Sequence, residues 1–413
     1  MSGCGLDSVK GHLTPYNEAL ENLLNAVVSN RQTETVALAD ALGRVLAIPL
    51  VSRVDVPPTD NSAMDGYAIN SADVSRRGEI RLQVSQRIPA GVVGQPLRRG
   101  SAARIFTGAP IPKGADVVIM QECVRVDDDA IVFDGPYTPH TNVRFAAEDI
   151  KKGVQILDEG TQLRAQELGV AASTGYSELE VFKRVKAGVF FTGDELIEPG
   201  QALEPGQIYD SNRYTIVGLL KSLGCEIIDL GIVGDTLDAT LQALEEVSDK
   251  ADLVITSGGV SVGEEDYIRA AVKELGSLDM WRVKIKPGKP LAFGQVKGTP
   301  FLGLPGNPVA VFVTFCLFVS PYIKRMQGRL DPLPLSFPVS ADFNWTAGKR
   351  REFVRARLVR NSDGQTVAQI YHHQGSGVLS STSWSDGLIM IPEGISVVPG
   401  EQVDYTAFSS LLA

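Results

Sequence analysis

The feature that most restricts the fold of this chain is a regular alternation of strand-like and helix-like segments between residues 186 and 330. Apolar runs typical of buried strands, among them 187–192 and 253–256, are each followed by a loop and a segment with helical periodicity. Strands that alternate with helices predict a doubly wound α/β domain around a mostly parallel sheet. Ligands of such sheets bind beyond the carboxyl ends of the strands, so functional residues are expected in the loops that follow them.

The segments on either side of this domain have different patterns. Residues 13–51 are expected to be mainly helical, with a second short helix from Val36 to Leu42, and residues 149–185 contain a further helix. Together they are expected to form one discontinuous linker domain. Residues 52–148, with short strands bounded by glycines and prolines, predict an inserted β-rich domain.

A proline-rich boundary at Asp331 ends the α/β domain, because clustered prolines cannot continue a helix. Residues 331–413 alternate apolar and polar side chains over short stretches, which predicts a small C-terminal β-barrel. The expected fold is therefore multidomain α/β with β-rich domains. It has a central doubly wound domain, an inserted β-rich domain and a C-terminal barrel.

Charge and composition exclude several classes of protein. The net charge of −10 and the sequence pI of about 5.1 exclude a broad basic surface for nucleic acid. Four cysteines that lie far apart argue against a zinc cluster or a disulfide framework. The most apolar run, 309–319, is shorter than the ~20 residues of a membrane-spanning helix, and the N-terminus has no signal-peptide core. We therefore expect a cytoplasmic protein with no membrane or nucleic-acid partner.

A glycine-rich loop, TSGGVSVGEED, follows the strand 253–256 and precedes a helix. Glycines let backbone N–H groups approach an anion closely, and the dipole of the next helix favours negative charge. Candidate phosphate-binding residues are Ser257, Gly258, Gly259 and Ser261. Asp266 ends the loop and is a candidate ligand of Mg²⁺. The alternative for this aspartate is that it only caps the next helix.

A basic segment, WRVKIKPGKP, is expected at the same edge of the sheet. In a strand, Arg282, Lys284 and Lys286 point to one face, and the Pro-Gly turn then sets Lys289. These residues are candidates for an anion site. The alternative is a solvated stripe of charge.

The sequence GLPGNP describes a strand that leads into a helix. Pro308 suits the first helical turn and Asn307 the N-cap, after Pro305 and Gly306. A well-capped buried helix explains this loop without any ligand. A function follows only if this helix begins at the same edge as the other loops.

Acidic residues complete the candidate site. Asp60 and Asp65, in DNSAMDGY, suit metal binding or water activation, and the alternative is a turn rich in Asp, Asn and Gly. Glu195 follows the strand 187–192 and either contacts a ligand or solvates a turn. Asp235 follows another strand and, taken alone, is expected to cap the next helix.

Seven motifs, in order along the chain, make it resemble the molybdopterin molybdenumtransferases, the family of the bacterial MoeA proteins and the gephyrin E domain. The resemblance extends from about residue 15 to residue 405. The motifs are DNSAMDGYA (60–68), TGAPIPKGADVVIMQE (107–122), TGDEL (192–196), GQIYDSNRY (206–214), TSGGVSVGEEDY (256–267), KPGKPLAFG (286–294) and GLPGNPVA (303–310).

The resemblance implies a homodimer whose central domain is of the molybdopterin-binding, MogA-like type. It implies that adenylylated molybdopterin and molybdate are the substrates and that Mg²⁺ is the cofactor. AMP and the molybdenum cofactor would be the products. The molybdopterin adenylyltransferase is a candidate partner. In similar proteins, the α/β domain of one subunit and the β-rich insertion of the other form the site.

The resemblance also assigns roles residue by residue. Catalytic roles are implied for Asp65, Asp149, Glu195, Lys286 and Lys289. Substrate binding is implied for Asp60, Thr107, Ser257, Gly258, Gly259, Ser261, Pro305, Gly306, Asn307, Pro308, Arg355 and Ser376, of which Arg355 and Ser376 match residues attributed to molybdate binding. Mg²⁺ is placed near Asp235 and Asp266. Before Asp149 this chain has Phe145-Ala146-Ala147, where the family often has arginines and a glycine.

Three other functions fit parts of this pattern. A non-catalytic dimeric scaffold of the same fold would lose the residues of the phosphate loops, which are intact here. A nucleotide pyrophosphatase built on the same α/β domain would not need the motif at 60–68. A molybdopterin adenylyltransferase would lack the three additional domains. The sequence therefore favours the transfer of molybdenum.

Overall fold

The computed structural model of the chain describes residues 13–28, 32–74, 77–259 and 267–412. The fold comprises two compact units. The larger unit contains Met1–Glu34, Gly43–Ala47 and Val181–Ala413, and the smaller unit contains Thr35–Leu42 and Ile48–Glu180. The sequence analysis predicts four domains, which is a finer division than these two units, and that division stays a prediction.

A six-stranded sheet forms the centre of the larger unit. In chain order its strands are β1 (Lys186–Thr192), β2 (Glu226–Val233), β3 (Leu253–Ser257), β4 (Gly276–Arg282), β5 (Pro290–Val296) and β6 (Thr299–Leu304). Their spatial order is β2-β1-β3-β6-β5-β4, and the first four of these are parallel. β5 is antiparallel to both of its neighbours. The predicted doubly wound α/β domain is confirmed, with two antiparallel strands added at one edge.

Helices cover both faces of this sheet, because successive side chains of a strand point to opposite sides. In β3, Leu253 and Ile255 lie in one apolar cluster, and Val254 lies in the other. The helices are α1 (Tyr16–Asn25), α2 (Ser211–Ser222), α3 (Leu237–Ser248) and α4 (Tyr267–Leu275). The first cluster includes residues of α1 and α2, and the second includes residues of α3 and α4.

A long apolar helix follows β6 in three successive parts. These are α5 (Pro308–Thr314), a π-helical turn (Phe315–Val319) and α6 (Ser320–Met326). Among the described helices, this one is long and apolar enough to cross a membrane, yet 89% of its most apolar window is buried inside the protein. Phe315 and Phe318 are fully buried in the first apolar cluster. It therefore serves as a core helix of this unit, as the sequence predicted.

The C-terminal part of the larger unit is a closed five-stranded barrel. Its strands are β7 (Phe337–Ala341), β8 (Arg351–Arg360), β9 (Thr366–Ile370), β10 (Gly387–Ile391) and β11 (Gln402–Ala407). Their order is β8-β9-β7-β11-β10, and pairing of β10 with β8 closes the barrel, as predicted. Two short helices, α7 (Ser380–Trp384) and α8 (Phe408–Leu412), accompany it. Shorter strand pairs join Leu196–Ile197 to Ile208–Tyr209 and Trp345–Thr346 to Ser396–Val397.

The smaller unit is rich in β-strands, as expected for residues 52–148. Its six-stranded sheet has the spatial order Val117–Met120, Gly66–Ile69, Ser101–Ile105, Gly78–Ile88, Ala130–Gly135 and Arg125–Asp127. Two short pairs join Asn61–Ser62 to Val143–Arg144 and Leu50–Val51 to Gln155–Leu157. The helix Ala165–Ser173 and 3₁₀ turns at Ser71–Val74 and Gln121–Cys123 complete it.

The prediction of a second helix from Val36 to Leu42 is wrong. The chain is extended over Thr33–Ala37 and then makes a 3₁₀ turn at Leu38–Asp40. β-Branched side chains favour extended backbone, and a short isolated helix is unfavourable without apolar packing along one face. A last short strand, Glu178–Phe182, precedes β1.

Candidate functional site

The glycine loop after β3 lies at the carboxyl edge of the parallel strands. The backbone N–H of Gly258 donates to the carbonyl of Leu304, the last residue of β6, at 3.2 Å. Gly258 and Gly259 have φ values of 88° and 59°, and a β-carbon on Gly259 would lie 2.6 Å from Ile268 Cδ1. Glycine is therefore required here. Ser257 closes β3, whereas Ser261 and Asp266 lie outside the described residues.

The loop after β6 lies against this glycine loop. A β-carbon on Gly306 would lie only 3.8 Å from Gly258 Cα. Pro305 and Gly306 lead to Asn307, which occupies the N-cap position of α5 as predicted, with Pro308 as the first helical residue. The Asn307 side chain makes no capping hydrogen bond within the described helix. The positive end of α5 therefore remains suited to an anion.

Two other segments of the larger unit hold the loop after β6. Asn212 Nδ2, near the start of α2, donates to the carbonyl of Gly306 at 2.8 Å. The backbone N–H of Val309 donates to the carbonyl of Ser376 at 3.0 Å. The barrel loop that contains Ser376 therefore reaches the beginning of α5.

Arg355 is a buried cation in the barrel, next to the Ser376 loop. Its guanidinium donates to Ser381 Oγ at 3.1 Å and to the carbonyl of Gly375 at 3.2 Å. Only 1% of the residue is exposed, and burial lowers the pKa of Arg355 to about 10, so it remains charged at neutral pH. Among the described residues, no carboxylate lies within the 4.0 Å of an ion pair with it. A buried, unpaired guanidinium beside polar loops is suited to a bound oxyanion.

Lys286 is held by a buried carboxylate. Its Nζ atom lies 3.2 and 3.3 Å from the two carboxylate oxygens of Glu352. Glu352 also accepts hydrogen bonds from Trp345 Nε1 at 3.1 Å and from the backbone N–H of Gly348 at 3.0 Å. Ile285–Lys286 forms a parallel pair with β8, in which Lys286 is opposite Glu352. The position of this lysine is therefore fixed by the barrel.

The prediction that Arg282, Lys284 and Lys286 share one face of a strand is wrong. β4 ends at Arg282, and the next two-residue strand joins the barrel instead. Lys284 lies 3.6 Å from Glu393 in an ion pair. Lys289 is exposed and has no ion pair with any carboxylate in the described part of the chain. The two lysines of the Pro-Gly turn thus differ, because one is anchored and the other is free to meet a ligand.

Glu195 and Asp235 follow β1 and β2, at the edge where the glycine loop lies. A β-carbon on Gly258 would lie 3.7 Å from the carbonyl oxygen of Thr192, so the end of β1 adjoins that loop. Glu195 is exposed and turns back over Gly193. The expectation that Asp235, taken alone, caps the next helix is wrong, because Asp235 is not the N-cap of α3. Thr236 occupies that position and accepts from the N–H of Ala239 at 3.3 Å.

A metal site is not complete in the described residues. No group of three or more His, Cys, Asp or Glu side chains there is placed to hold a metal ion. Mg²⁺ is commonly held by one or two carboxylates together with substrate phosphates and water. Asp235, a carboxylate at the ligand edge of the sheet, fits that chemistry. The assignment of Mg²⁺ to Asp235 and Asp266 stays a prediction.

Asp65 lies in the smaller unit, where Thr107 holds its carboxylate. Asp65 Oδ1 accepts from the backbone N–H of Thr107 at 2.8 Å and from Thr107 Oγ1 at 2.7 Å. These two bonds, and more weakly the charge of Arg104, hold the pKa of Asp65 below its usual value. Asp65 is therefore ionised at neutral pH and can accept a hydrogen bond from water or substrate.

Asp60 and Asp149 lie on either side of a tight turn in the same unit. Asp60 Oδ1 accepts from the backbone N–H of Ala146 at 2.8 Å. Ala147 has a φ of 60°, a left-handed conformation that an alanine side chain disfavours. The backbone N–H groups of Asp149 and Ile150 both donate to the carbonyl of Val56, and the Asp149 side chain is exposed. Glycine would adopt this conformation without the clash of a β-carbon.

The structure adds site residues that the sequence reasoning missed. Glu352 anchors Lys286, Asn212 anchors Gly306, and Ser381 holds the guanidinium of Arg355. Asn212 lies inside the motif GQIYDSNRY, which marked the segment but not its role. Glu352 and Ser381 had no signal, because a single acidic residue in a strand and a serine in SSTSW resemble ordinary surface residues.

Family models match almost the entire chain. A model of the MoeA N-terminal region (domain I and II) matches residues 14–175. A model of a probable molybdopterin binding domain matches residues 188–325, and a model of the MoeA C-terminal region (domain IV) matches residues 338–408. The three matches follow the order of the motifs along the chain.

Named relatives and solved structures agree with these matches. The molybdopterin molybdenumtransferase of Haemophilus influenzae is 40% identical over 404 residues, covering 96% of this chain and 99% of the relative. That of a Nostoc species is 42% identical over 385 residues, covering 90% of this chain and 88% of the relative. The crystal structure of a molybdopterin biosynthesis MoeA protein from Pyrococcus horikoshii has a TM-score of 0.83 at 33% identity, covering 96% of this chain and all of that one.

Proposed function

The chain belongs to the MoeA family of molybdopterin molybdenumtransferases, and from this premise we propose that it inserts molybdate into adenylylated molybdopterin, with AMP as the leaving group. It is a transferase of molybdenum cofactor biosynthesis. Neither a scaffold nor a nucleotide pyrophosphatase is favoured by these relatives. The finer assignments below, from substrate groups to individual residues, are proposals.

One observation of the larger unit carries the proposal. The loops after β3 and β6, the start of α5 and the barrel loop at Ser376 touch one another at the carboxyl edge of the sheet. Backbone N–H groups, an uncapped helix and the unpaired guanidinium of Arg355 offer positive charge and donors there. This set of groups suits ligands that carry several negative oxygens, as both phosphoanhydrides and molybdate do.

We assign the oxyanion of molybdate to Arg355 and Ser376. Arg355 is charged and already oriented by Ser381 and Gly375, so little side-chain ordering is needed when the anion binds. Lys286 and Lys289 are assigned to the negative charge of the anhydride, with Lys286 anchored by Glu352. Water attacks one phosphorus of the anhydride as its P–O bond breaks, so that AMP leaves and negative charge develops on the departing phosphate. Cations at fixed positions stabilise that charge.

Mg²⁺ is proposed as the cofactor, with Asp235 and Asp266 as its candidate protein ligands. When bound, it would neutralise part of the charge of the phosphate oxygens. Asp65, ionised and fixed by Thr107, is proposed to orient water or substrate from the smaller unit. Asp149 and Glu195 are assigned the same kind of role, and Asp60 and Thr107 are assigned to substrate contact. The chain is proposed to be a cytoplasmic homodimer that receives substrate from the molybdopterin adenylyltransferase.

The purified chain tests this function directly. Incubated with adenylylated molybdopterin, molybdate and Mg²⁺, it should release AMP and form active molybdenum cofactor in equal amounts. Asp65→Asn and Lys289→Ala should each block AMP release. The melting temperature should be unchanged in Lys289→Ala, because that side chain is exposed, and only slightly lower in Asp65→Asn, because asparagine keeps an oxygen that accepts from Thr107. Full activity of both variants would remove these site assignments. Failure of the unaltered chain to release AMP or form cofactor would contradict the proposed function itself.

A further inference from the structure

Two arginines of the smaller unit flank one phenylalanine ring. Arg87 and Arg104 lie on neighbouring parallel strands and are opposite each other in the register. The guanidinium carbon of each lies 4.5 Å from the ring centroid of Phe106. Arg104 also lies 5.2 Å from the ring of Tyr67. We call the three residues Arg87, Arg104 and Phe106 the arginine platform.

The charge of the arginine platform is not neutralised by an ion pair in the described part of the smaller unit. Arg104 donates to neutral acceptors, the carbonyl of Gly66 at 2.8 Å and Gln121 Oε1 at 2.6 Å. Arg87 is exposed and has no carboxylate within the 4.0 Å of an ion pair among those residues. By contrast, Arg81 on the same strand as Arg87 pairs with Asp127 at 3.1 Å. The platform is therefore a local concentration of positive charge in a chain of net charge −10.

The platform adjoins the fixed carboxylate of Asp65. Phe106 directly precedes Thr107, which donates two hydrogen bonds to Asp65. The backbone N–H of Phe106 donates to the carbonyl of Ile88, next to Arg87, at 3.3 Å. The positive charge of Arg104 contributes to the lowered pKa of Asp65. The two cations and the carboxylate therefore border one patch of surface. An anionic group of a ligand would bind at the arginines, and a hydrogen-bond donor of the same ligand would bind at Asp65.

We propose that the arginine platform is a binding site for a phosphate monoester whose molecule also contains a flat heterocycle. The inference rests on the proposed function, in which such a group occurs as AMP and as the phosphate of the pterin. Guanidinium groups bind phosphate through paired N–H donors, and their flat faces stack on aromatic bases. Phe106 fixes the two guanidiniums and lowers the ordering cost of binding.

Binding of AMP to the whole protein tests the platform. Arg87→Gln removes one cation, and Arg81→Gln is the matched control, because it removes an equal charge from the same strand at a paired position. The dissociation constant for AMP, measured by calorimetry, should rise about tenfold in the first variant and stay unchanged in the control. Equal effects in the two variants, or none in either, would overturn the proposal. So would failure of the unaltered protein to bind AMP at millimolar concentration.

Two fragments of AMP separate the parts of the site. Ribose 5-phosphate should bind with a similar dependence on Arg87, whereas adenosine should bind weakly and equally to both variants. A dependence on Arg87 for adenosine but not for ribose 5-phosphate would contradict phosphate recognition. The dissociation constant of the pterin phosphate, measured in the same way, distinguishes the two ends of the substrate once AMP binding is shown to depend on Arg87. A rise in Arg87→Gln would extend the platform to the pterin phosphate, and no rise would confine it to AMP.

These binding measurements do not depend on turnover. A protein that binds AMP through Arg87 but forms no cofactor would refute the proposed function and leave the platform standing. A protein that forms cofactor normally, with an Arg87→Gln variant indistinguishable from Arg81→Gln, would refute the platform alone.

Discussion

Replacing Glu352 by glutamine should weaken the binding of an anion by Lys286 without unfolding the barrel. The buried carboxylate holds Lys286 Nζ at 3.2 Å and also accepts from Trp345 and Gly348. Trp345 and Gly348 donate to different oxygens of Glu352, so glutamine keeps an acceptor for only one of them and removes the charge that fixes the lysine. The chain therefore retains its barrel but loses the orientation of one cation at the proposed anion site.

Two effects of this substitution oppose each other. An unanchored lysine regains rotamer freedom worth up to about 2 kcal/mol, which an oxyanion must remove again on binding. Removing a negative charge near the site favours the anion by about 1 kcal/mol or less, since Lys286 is 44% exposed and solvent screens the interaction. The difference of about 1 kcal/mol predicts a roughly fivefold rise in the concentration of adenylylated molybdopterin for half-maximal cofactor formation. The free energy of unfolding should fall by about 1–3 kcal/mol for the donor left unsatisfied.

A double-mutant cycle gives the decisive measurement. Half-saturation by adenylylated molybdopterin is measured for the unaltered chain, Glu352→Gln, Lys286→Met and the double variant, with Glu393→Gln as a control that alters the pair at Lys284 instead. If Glu352 acts through Lys286, its substitution has no further effect once Lys286 is methionine. Equal effects of Glu352→Gln in both backgrounds would refute this reasoning and leave Glu352 a purely structural role.

Three further outcomes follow from single side chains. Ala147→Gly should raise the unfolding free energy by roughly 0.5–1 kcal/mol, because glycine accepts the φ of 60° without strain; an unchanged denaturant midpoint would contradict this. Thr107→Val removes one of the hydrogen bonds that lower the pKa of Asp65, so the acid limb of the pH–rate profile should shift to higher pH, and an unmoved limb would exclude Asp65 as its source. Burial lowers the pKa of Lys324 to about 8 from 10.5, so the folded state binds fewer protons than the unfolded state between these values. Stability relative to Lys324→Met should therefore rise with pH in that window, by on the order of 3 kcal/mol in total, and a parallel pH dependence of the two proteins would refute the shift.

The parts of the fold that the sequence predicts correctly are those with a strong, repeated pattern. Three of the four parallel strands, β1, β3 and β6, are mostly apolar because both of their faces are buried, and their helices have one apolar stripe each. The apolar helix from Pro308 and the strands of the barrel have similarly clear periods. Local pattern was sufficient there because burial acts on every residue of the element.

The errors lie where contacts from distant parts of the chain decide. The basic segment near Lys286 looks like one strand, but pairing with β8 takes two of its residues into the barrel. Val36 to Leu42 has helical spacing, yet β-branched residues and tertiary contacts make it extended. Asp235 and Thr236 are both good caps, and only the backbone geometry selects the threonine.

The candidate site shows the same limit. Motifs identified most of the residues that line the sheet edge, since glycines and prolines have local conformational reasons. They did not identify Glu352, Asn212 or Ser381, whose partners are far away in sequence. Such anchoring residues have ordinary local sequences, because their role exists only after the chain has folded.

We propose that Lys289 of the larger unit and Asp65 of the smaller unit serve one reaction on one substrate, and that the chain acts as a homodimer. Mixing Asp65→Asn with Lys289→Ala chains, after exchange of subunits, tests it most directly. If each site combines Asp65 of one subunit with Lys289 of the other, a mixed dimer has one intact site out of two. About half of the dimers in an equal mixture are mixed, so about a quarter of the full rate of cofactor formation returns. If no activity returns while mixed dimers are shown to form, the two sets of residues do not combine across subunits and the claim is contradicted.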